Sequence, residues 1–220
     1  MIIPDQIIRS DRKTLSVTID RLSRVIVRAP RTCDEKRIFA FLQEKEAWIT
    51  RKKSQTAGAG MALPPENLDG YTFMLLGKNF RICLYEQETI RIDQVKNTLY
   101  VPKKNARTRL VKWLKENALR IFTGLTQEKA REMSLECQSV SITGAKSFWG
   151  LCTGKNAIRY TFRLLYAPKE VVEYVIVHEL AHIRHKDHSK AFWATVQSRI
   201  PDWKKRRQWL KTHGVLMEIF

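Results

Sequence analysis

The stretch His178-Glu179-Leu180-Ala181-His182 places two imidazoles four residues apart, with a carboxylate beside the first. On a helix that spacing aims both rings at one cation, and Glu179 is then placed to work on a water held there. Four of the chain's five histidines fall between positions 178 and 188. Zinc in a catalytic site takes three protein ligands and keeps one position open, so a third ligand must come from outside the first helical turn.

Two candidates follow, His185 and His188. On a straight helix His185 sits roughly 10 Å along the axis from His178. Metal–nitrogen bonds of about 2 Å cannot span that distance, so His185 reads as a solvated or supporting histidine. His188 serves if the helix ends around Arg184 to Asp187 and the chain turns back under the metal. The step from His182 to His188 is the metzincin spacing, in which a glycine makes the turn. His185 holds that glycine position here, so the turn must be made by other means.

Such a site is that of a zinc-dependent hydrolase, most simply a peptidase. Zinc lowers the pKa of a water it holds to about 7 and polarises the scissile carbonyl, while Glu179 takes the water proton and delivers it to the leaving amine. Tyr160 and Tyr166, close in sequence, are candidate donors to the oxyanion. Two other readings share the site. One is a metal-dependent phosphohydrolase acting on nucleotides, although phosphoryl chemistry commonly uses carboxylate sites for hard cations and this one offers three imidazoles. The other is a nucleic-acid-associated protein with a metal site; a structural zinc would need a fourth protein ligand, and no cysteine is near in sequence.

The elements that must position these residues are legible in outline. The chain has 220 residues, 44% of them hydrophobic, enough to bury a sizeable core in one large domain or two small ones. Alternating apolar and polar residues over 6–10, 14–19 and 24–29 predict a small antiparallel meander. Asp34 caps a helix carrying Ile38, Phe41, Leu42, Lys45, Trp48 and Ile49, with Trp48 in the core. Gln55 to Asp69 has loop composition. Strands are expected at Tyr71–Leu76 and Phe80–Tyr85 around a Gly77-Lys78-Asn79 turn, then at Thr89–Ile92 and Thr98–Val101. From Asn105 to about Leu135 the spacing gives a long helix, or a pair interrupted near Gly124, whose basic side chains read as a solvated face. Ser139–Ile142, then Phe148–Cys152, a Gly154-Lys155-Asn156 turn and Ala157–Leu165 are expected to give two strands of a hairpin just before the metal helix, where an edge can hold an extended substrate and Trp149 either shapes the pocket or fills the core. Pro168 opens the metal helix, with Glu170 near its positive end. Ser189 caps the next helix, and Pro201-Asp202 starts a last one holding Trp203, Lys204, Lys205, Arg206, Arg207 and Trp209, read as a solvated basic helix with tryptophan in the core. The division expected is a β-rich region over 1–104 and a metal-hydrolase region over 105–220, or one continuous domain.

Lysine and arginine outnumber aspartate and glutamate by 40 to 22, a net charge of +18 spread along the chain. Such a field attracts polyanions, including nucleotides and nucleic acid. Cys33, Cys83, Cys137 and Cys152 lie far apart with no Cys-x-x-Cys pair, as in reduced cytoplasmic proteins. No apolar run approaches membrane-spanning length, and no secretory leader is expected.

Taken in order, these features resemble the YgjP-like metallopeptidase family, a zincin-type group related to the SprT-like metalloproteases. The resemblance runs over most of the chain. It rests on Arg12-Lys13-Thr14-Leu15-Ser16-Val17, Val25-Ile26-Val27-Arg28-Ala29-Pro30, Leu76-Gly77-Lys78-Asn79, the helix Tyr174 to His182, and His188-Ser189-Lys190-Ala191-Phe192-Trp193. The resemblance implies a zincin-like α+β fold, with antiparallel sheets, the metal-binding helix and C-terminal helices. It also implies His178, His182 and His188 as ligands of Zn2+, Glu179 as catalytic carboxylate, and a peptide or protein substrate. Leu151 stands where the family usually has serine, in Trp149-Gly150-Leu151-Cys152, and Thr161 where an asparagine is usual. Both lie in the segment expected to face the substrate.

Overall fold

A computed structural model describes residues 2–20, 23–57 and 64–220. Among these the fold is mixed α+β, with three small sheets and six α-helices. By packing, the chain divides into two compact units, one of residues 1–61 with 211–218 and the other of residues 62–210 with 219–220.

In the first unit, β1 (Gln6–Ser10), β2 (Ser16–Ile19) and β3 (Val25–Pro30) are followed by α1 (Glu35–Glu44) and α2 (Glu46–Ala57). The Asp34 carboxylate accepts a hydrogen bond from the Arg37 amide, satisfying one orphan donor at the start of α1. The helix is not continuous to Ile49, because the backbone breaks at Lys45 and restarts at Glu46. Val25, Val27 and Ala29 of β3 bury against Ile38, Leu42 and Ile49, with Trp48 half-buried on that core. The sheet is not an antiparallel meander. β3 is central, antiparallel to β2 and parallel to β1. Alternation marks a half-buried strand and its inward face, but carries nothing on the direction of its partner. α2 runs into the stretch read as a loop, as far as Ala57; residues 58–63 of that stretch lie outside the described residues.

In the second unit, β4 (Thr72–Leu75), β5 (Lys78–Tyr85), β6 (Arg91–Asp93) and β7 (Thr98–Pro102) form a sheet of order β4-β5-β7-β6. The hairpin turn between β4 and β5 is made by Leu76 and Gly77, with φ of 49° and 85°, one position earlier than the Gly-Lys-Asn reading. Two successive positive φ values are the demand of a two-residue hairpin. Glycine meets it freely, and Leu76 is held there by its amide donating to the Leu165 carbonyl, 2.8 Å. α3 (Ala106–Glu132) is one helix, continuous through Gly124. Its buried stripe recurs every four residues at Leu110, Leu114, Ala118, Phe122, Thr126 and Ala130, and Gly124 stands off that stripe in open space.

The third sheet has the order β8-β10-β9, from β8 (Ser139–Thr143), β9 (Gly150–Cys152) and β10 (Ala157–Thr161). Again the pairing is mixed: β10 runs parallel to β8 and antiparallel to β9. Residues expected to extend this strand to Leu165 turn instead into a 3-10 helix, Phe162–Tyr166. α4 (Lys169–Arg184), α5 (Lys190–Arg199) and α6 (Trp203–Thr212) follow, and a short 3-10 helix, Gly214–Glu218, comes after them. α4 is buried round most of its circumference by Val171, Val172, Val175, Ile176, Val177, Leu180 and Ala181, as its apolar sequence demands. Among the described residues no helix is long and apolar enough to cross a membrane.

Candidate metal centre

α4 carries His178 and His182 one turn apart, and the way it ends brings up the third histidine. His185 leaves helical geometry, with φ −127° and ψ 107°. Asp187 then accepts from the Ser189 amide at 3.1 Å, and the Ser189 hydroxyl accepts from the Phe192 amide to cap α5. No residue from 185 to 189 has positive φ, so this turn needs no glycine. It delivers His188 to the two helical histidines.

One nitrogen from each of His178, His182 and His188 can be chosen so that all lie within 4.8 Å of one another. His188 Nε2 faces His178 Nε2 at 3.2 Å, close to the roughly 3.3 Å expected for two nitrogens about 2.05 Å from one tetrahedral ion. His182 Nδ1 donates to the His185 carbonyl at 3.0 Å, which fixes the tautomer and leaves its Nε2 lone pair free. Phe192, fully buried, floors the cluster, its ring centroid 4.5–4.9 Å from all three imidazoles. Burial, then the neighbouring His182 and His188, push the His178 pKa down to about 3, and burial first lowers that of His182. Neutral imidazoles with converging lone pairs are the donor set of a divalent metal, so the residues fit one.

His185 is no part of this group. Its backbone carbonyl orients His182, and its ring Nε2 donates to the Thr195 hydroxyl at 3.2 Å, which in turn donates to the Ala191 carbonyl at 3.0 Å. The residue thus ties the end of α4 to α5.

Glu179 lies beneath β9. Burial raises its pKa to about 8, against a hydrogen bond from the Cys152 backbone that acts in the opposite sense. A Cβ at Gly150 would stand 2.6 Å from the Glu179 Cγ and 2.7 Å from its Oε1, so the side chain occupies space that only glycine leaves open. β9 has β10 on one side only, and its other edge is unpaired within the sheet.

The geometry corrects the expected oxyanion donors. Tyr160 is buried with its hydroxyl bonded to Thr126 at 3.1 Å, and Tyr166 is buried against Phe73 and Phe162, so both are core residues. Tyr174, packed edge-on against His178, is the tyrosine next to the cluster. Trp149 is half-buried, Leu151 is 43% exposed on β9, and Thr161 is buried with its hydroxyl donating to the Ala145 carbonyl. Sequence reasoning missed Phe192 as the floor and Gly150 as the space for Glu179. The signal for the second was present, a glycine inside a short strand.

A family model for the YgjP-like metallopeptidase domain matches residues 13–213. The chain belongs to that family. No curated protein and no solved structure matches it significantly. As a YgjP-like metallopeptidase domain it is expected to act with a divalent metal, and the three-histidine group is the place in the described residues that offers one a home.

Proposed function

We propose that the protein is a zinc-dependent peptidase of the zincin kind, with His178, His182 and His188 as the metal ligands and Glu179 as the general base. The observation that carries this reading is the convergence of three imidazole nitrogens, two of them on the helix that also carries a buried carboxyl. Three imidazoles suit zinc, and three ligands leave a position for substrate or water. When bound there, zinc supplies Lewis-acid polarisation of the scissile carbonyl and a more acidic water.

The chain's own residues do the rest. Glu179 accepts a proton from the attacking water and returns it to the leaving amine. Its burial favours the neutral acid, and a metal held by the histidines would draw the carboxyl back towards the ionised form, so that the group could both take and give a proton near neutral pH. The unpaired edge of β9 holds the substrate backbone as an added strand, with Leu151 offering an apolar contact. Four free cysteines suit a reducing cytoplasm.

The test is Glu179→Gln, which keeps the side-chain volume. It should retain zinc while hydrolysis of a peptide mixture falls about 10³-fold or more. Turnover near the wild-type rate would remove Glu179 from its role. A second reading, hydrolysis of nucleotide phosphates, or association with nucleic acid, draws on the +18 charge alone. Nucleotides screened on the same zinc-loaded preparation separate it from the first.

A further inference from the structure

The first turns of α6, after Trp203, hold four consecutive basic residues, Lys204 to Arg207, and two of them behave in opposite ways. Arg206 is satisfied: its guanidinium bonds Asp202 at 2.9 Å and the Glu170 carbonyl at 2.7 Å, and lies 3.6 Å from Glu173. Arg207 is exposed and has no carboxylate partner among the described residues. What holds it is an aromatic ring, its guanidinium carbon lying 5.2 Å from the centroid of Trp193. That indole is itself fixed, stacked at 4.1 Å on the buried Trp203. Beyond it lie His188 and His178, with ring centroids 5.6 and 5.7 Å from that of Trp193.

An unpaired guanidinium is therefore held on a fixed platform, one indole away from the candidate metal ligands. Tyr174 and His178, whose ionisation burial governs first, both also feel its charge. A guanidinium resting on a ring keeps its donor fork free, and that fork matches the two oxygens of a carboxylate.

We propose that Arg207 forms a carboxylate-binding subsite beside the three-histidine cluster, selecting substrates that present an acidic side chain or a free α-carboxylate near the bond to be cut. The substrate class rests on the peptidase reading; the anion subsite rests on the placement of Arg207. The carboxylate docks with the fork while the neighbouring peptide group reaches the histidines. Among the described residues no carboxylate pairs with Arg207.

Three pentapeptides that differ only in charge test this against the zinc-loaded Glu179→Gln protein, with binding followed by tryptophan fluorescence. One carries an internal glutamate and an amidated end, one a glutamine and an amidated end, and one a glutamine and a free carboxylate. At least one of the two anionic peptides should bind about tenfold more tightly than the neutral one. Which of them does so identifies the source of the carboxylate. The difference should collapse in the same protein carrying Arg207→Gln and recover in part with Arg207→Lys, which restores charge without the fork. Equal binding of all three peptides, or a preference that survives Arg207→Gln, overturns the subsite. The peptidase reading fails separately: a zinc-loaded wild type that cleaves none of the three, while the Arg207-dependent preference is present, leaves the subsite standing and removes the reaction.

Discussion

The sheet of β1, β2 and β3 and the sheet of β8, β9 and β10 share one connectivity. In each, the first strand runs parallel to the third, the second runs antiparallel to it, and helices follow. β5, β6 and β7 repeat the arrangement. Yet the first sheet buries only an apolar cluster, Val25, Val27 and Ala29 on Ile38, Leu42 and Ile49. Beside the last, the second unit buries Thr126, Thr161, Arg163 and Glu179, the buried polar side chains of the described residues. One topology thus serves as packing in one place and as the setting of a buried carboxyl in another. The difference lies in side chains: Gly150 in β9 leaves room for Glu179, and α4 ends where His188 can fold back.

The sharpest way to test that division is to take the metal away from one unit. At a thousandfold excess over its Kd, zinc should stabilise the protein by about 4 kcal/mol. His188→Ala should abolish both the zinc content and the zinc-dependent rise in Tm, while His185→Ala keeps one zinc per chain. Retention in the first variant with loss in the second would mean that the third ligand is His185.

Next in size is a pH effect in the chelated, metal-free protein. Burial raises the folded-state pKa of Glu179 to about 8 from the ordinary carboxylate value of 4.5, so between these values the folded protein holds a proton that the unfolded chain releases. This contribution to stability is fully present below the unfolded pKa and is lost as pH rises towards 8, by about 1.4 kcal/mol per pH unit. Below about pH 6.5 the lowered pKa values of His178 and His182 act in the opposite sense, so urea unfolding should show the decline between pH 7 and 8, and Glu179→Gln should flatten it there. An unchanged slope in Glu179→Gln would place the buried titration elsewhere.

A pair of smaller changes contrasts the two sheets directly. Gly150→Ala drives a methyl into Glu179 and should cost about 1–3 kcal/mol. Val27→Ala opens a gap in the buried cluster of the first unit, at about 2 kcal/mol. Only the first should also cut hydrolysis, because only it displaces the carboxyl proposed as the base. Equal effects of the two on the ratio of activity to folded protein would dissolve the contrast.

Much of the positioning was readable in advance for local reasons. The spacing of His178 and His182, the need to end the helix before His188, and the caps at Asp34 and Ser189 are short-range patterns that tertiary packing left intact. What escaped depends on distant partners. Strand alternation has the same period whether the neighbour runs parallel or antiparallel, so all three sheets turned out mixed. Tyr160 and Tyr166 are near α4 in sequence, yet their rings complete the core with Thr126, Phe73 and Phe162. Arg206 and Arg207 look alike in the chain and differ only in whether a carboxylate is within reach.

The smallest change concerns the link between α4 and α5, for which the turn between α1 and α2 supplies the contrast. At Lys45 one helix simply restarts after a break, held by backbone bonds. At His185 the break is fastened by a side chain, through Thr195, to the helix that carries Phe192 and Trp193. Thr195→Val keeps the shape and removes the hydroxyl, so the His185 ring loses its acceptor at a cost of about 1 kcal/mol. The carbonyl that orients His182 is on the same residue, and freeing the ring loosens it. Zinc should still bind, but about tenfold more weakly, within the range seen when the support of a ligand is removed. The competition is read with a chelator of known affinity, and Thr195→Ser should restore the wild-type value. If Thr195→Val loses the expected stability but holds zinc as tightly as the wild type, the latch serves only to pack α5, and the orientation of His182 is set by the helix end alone.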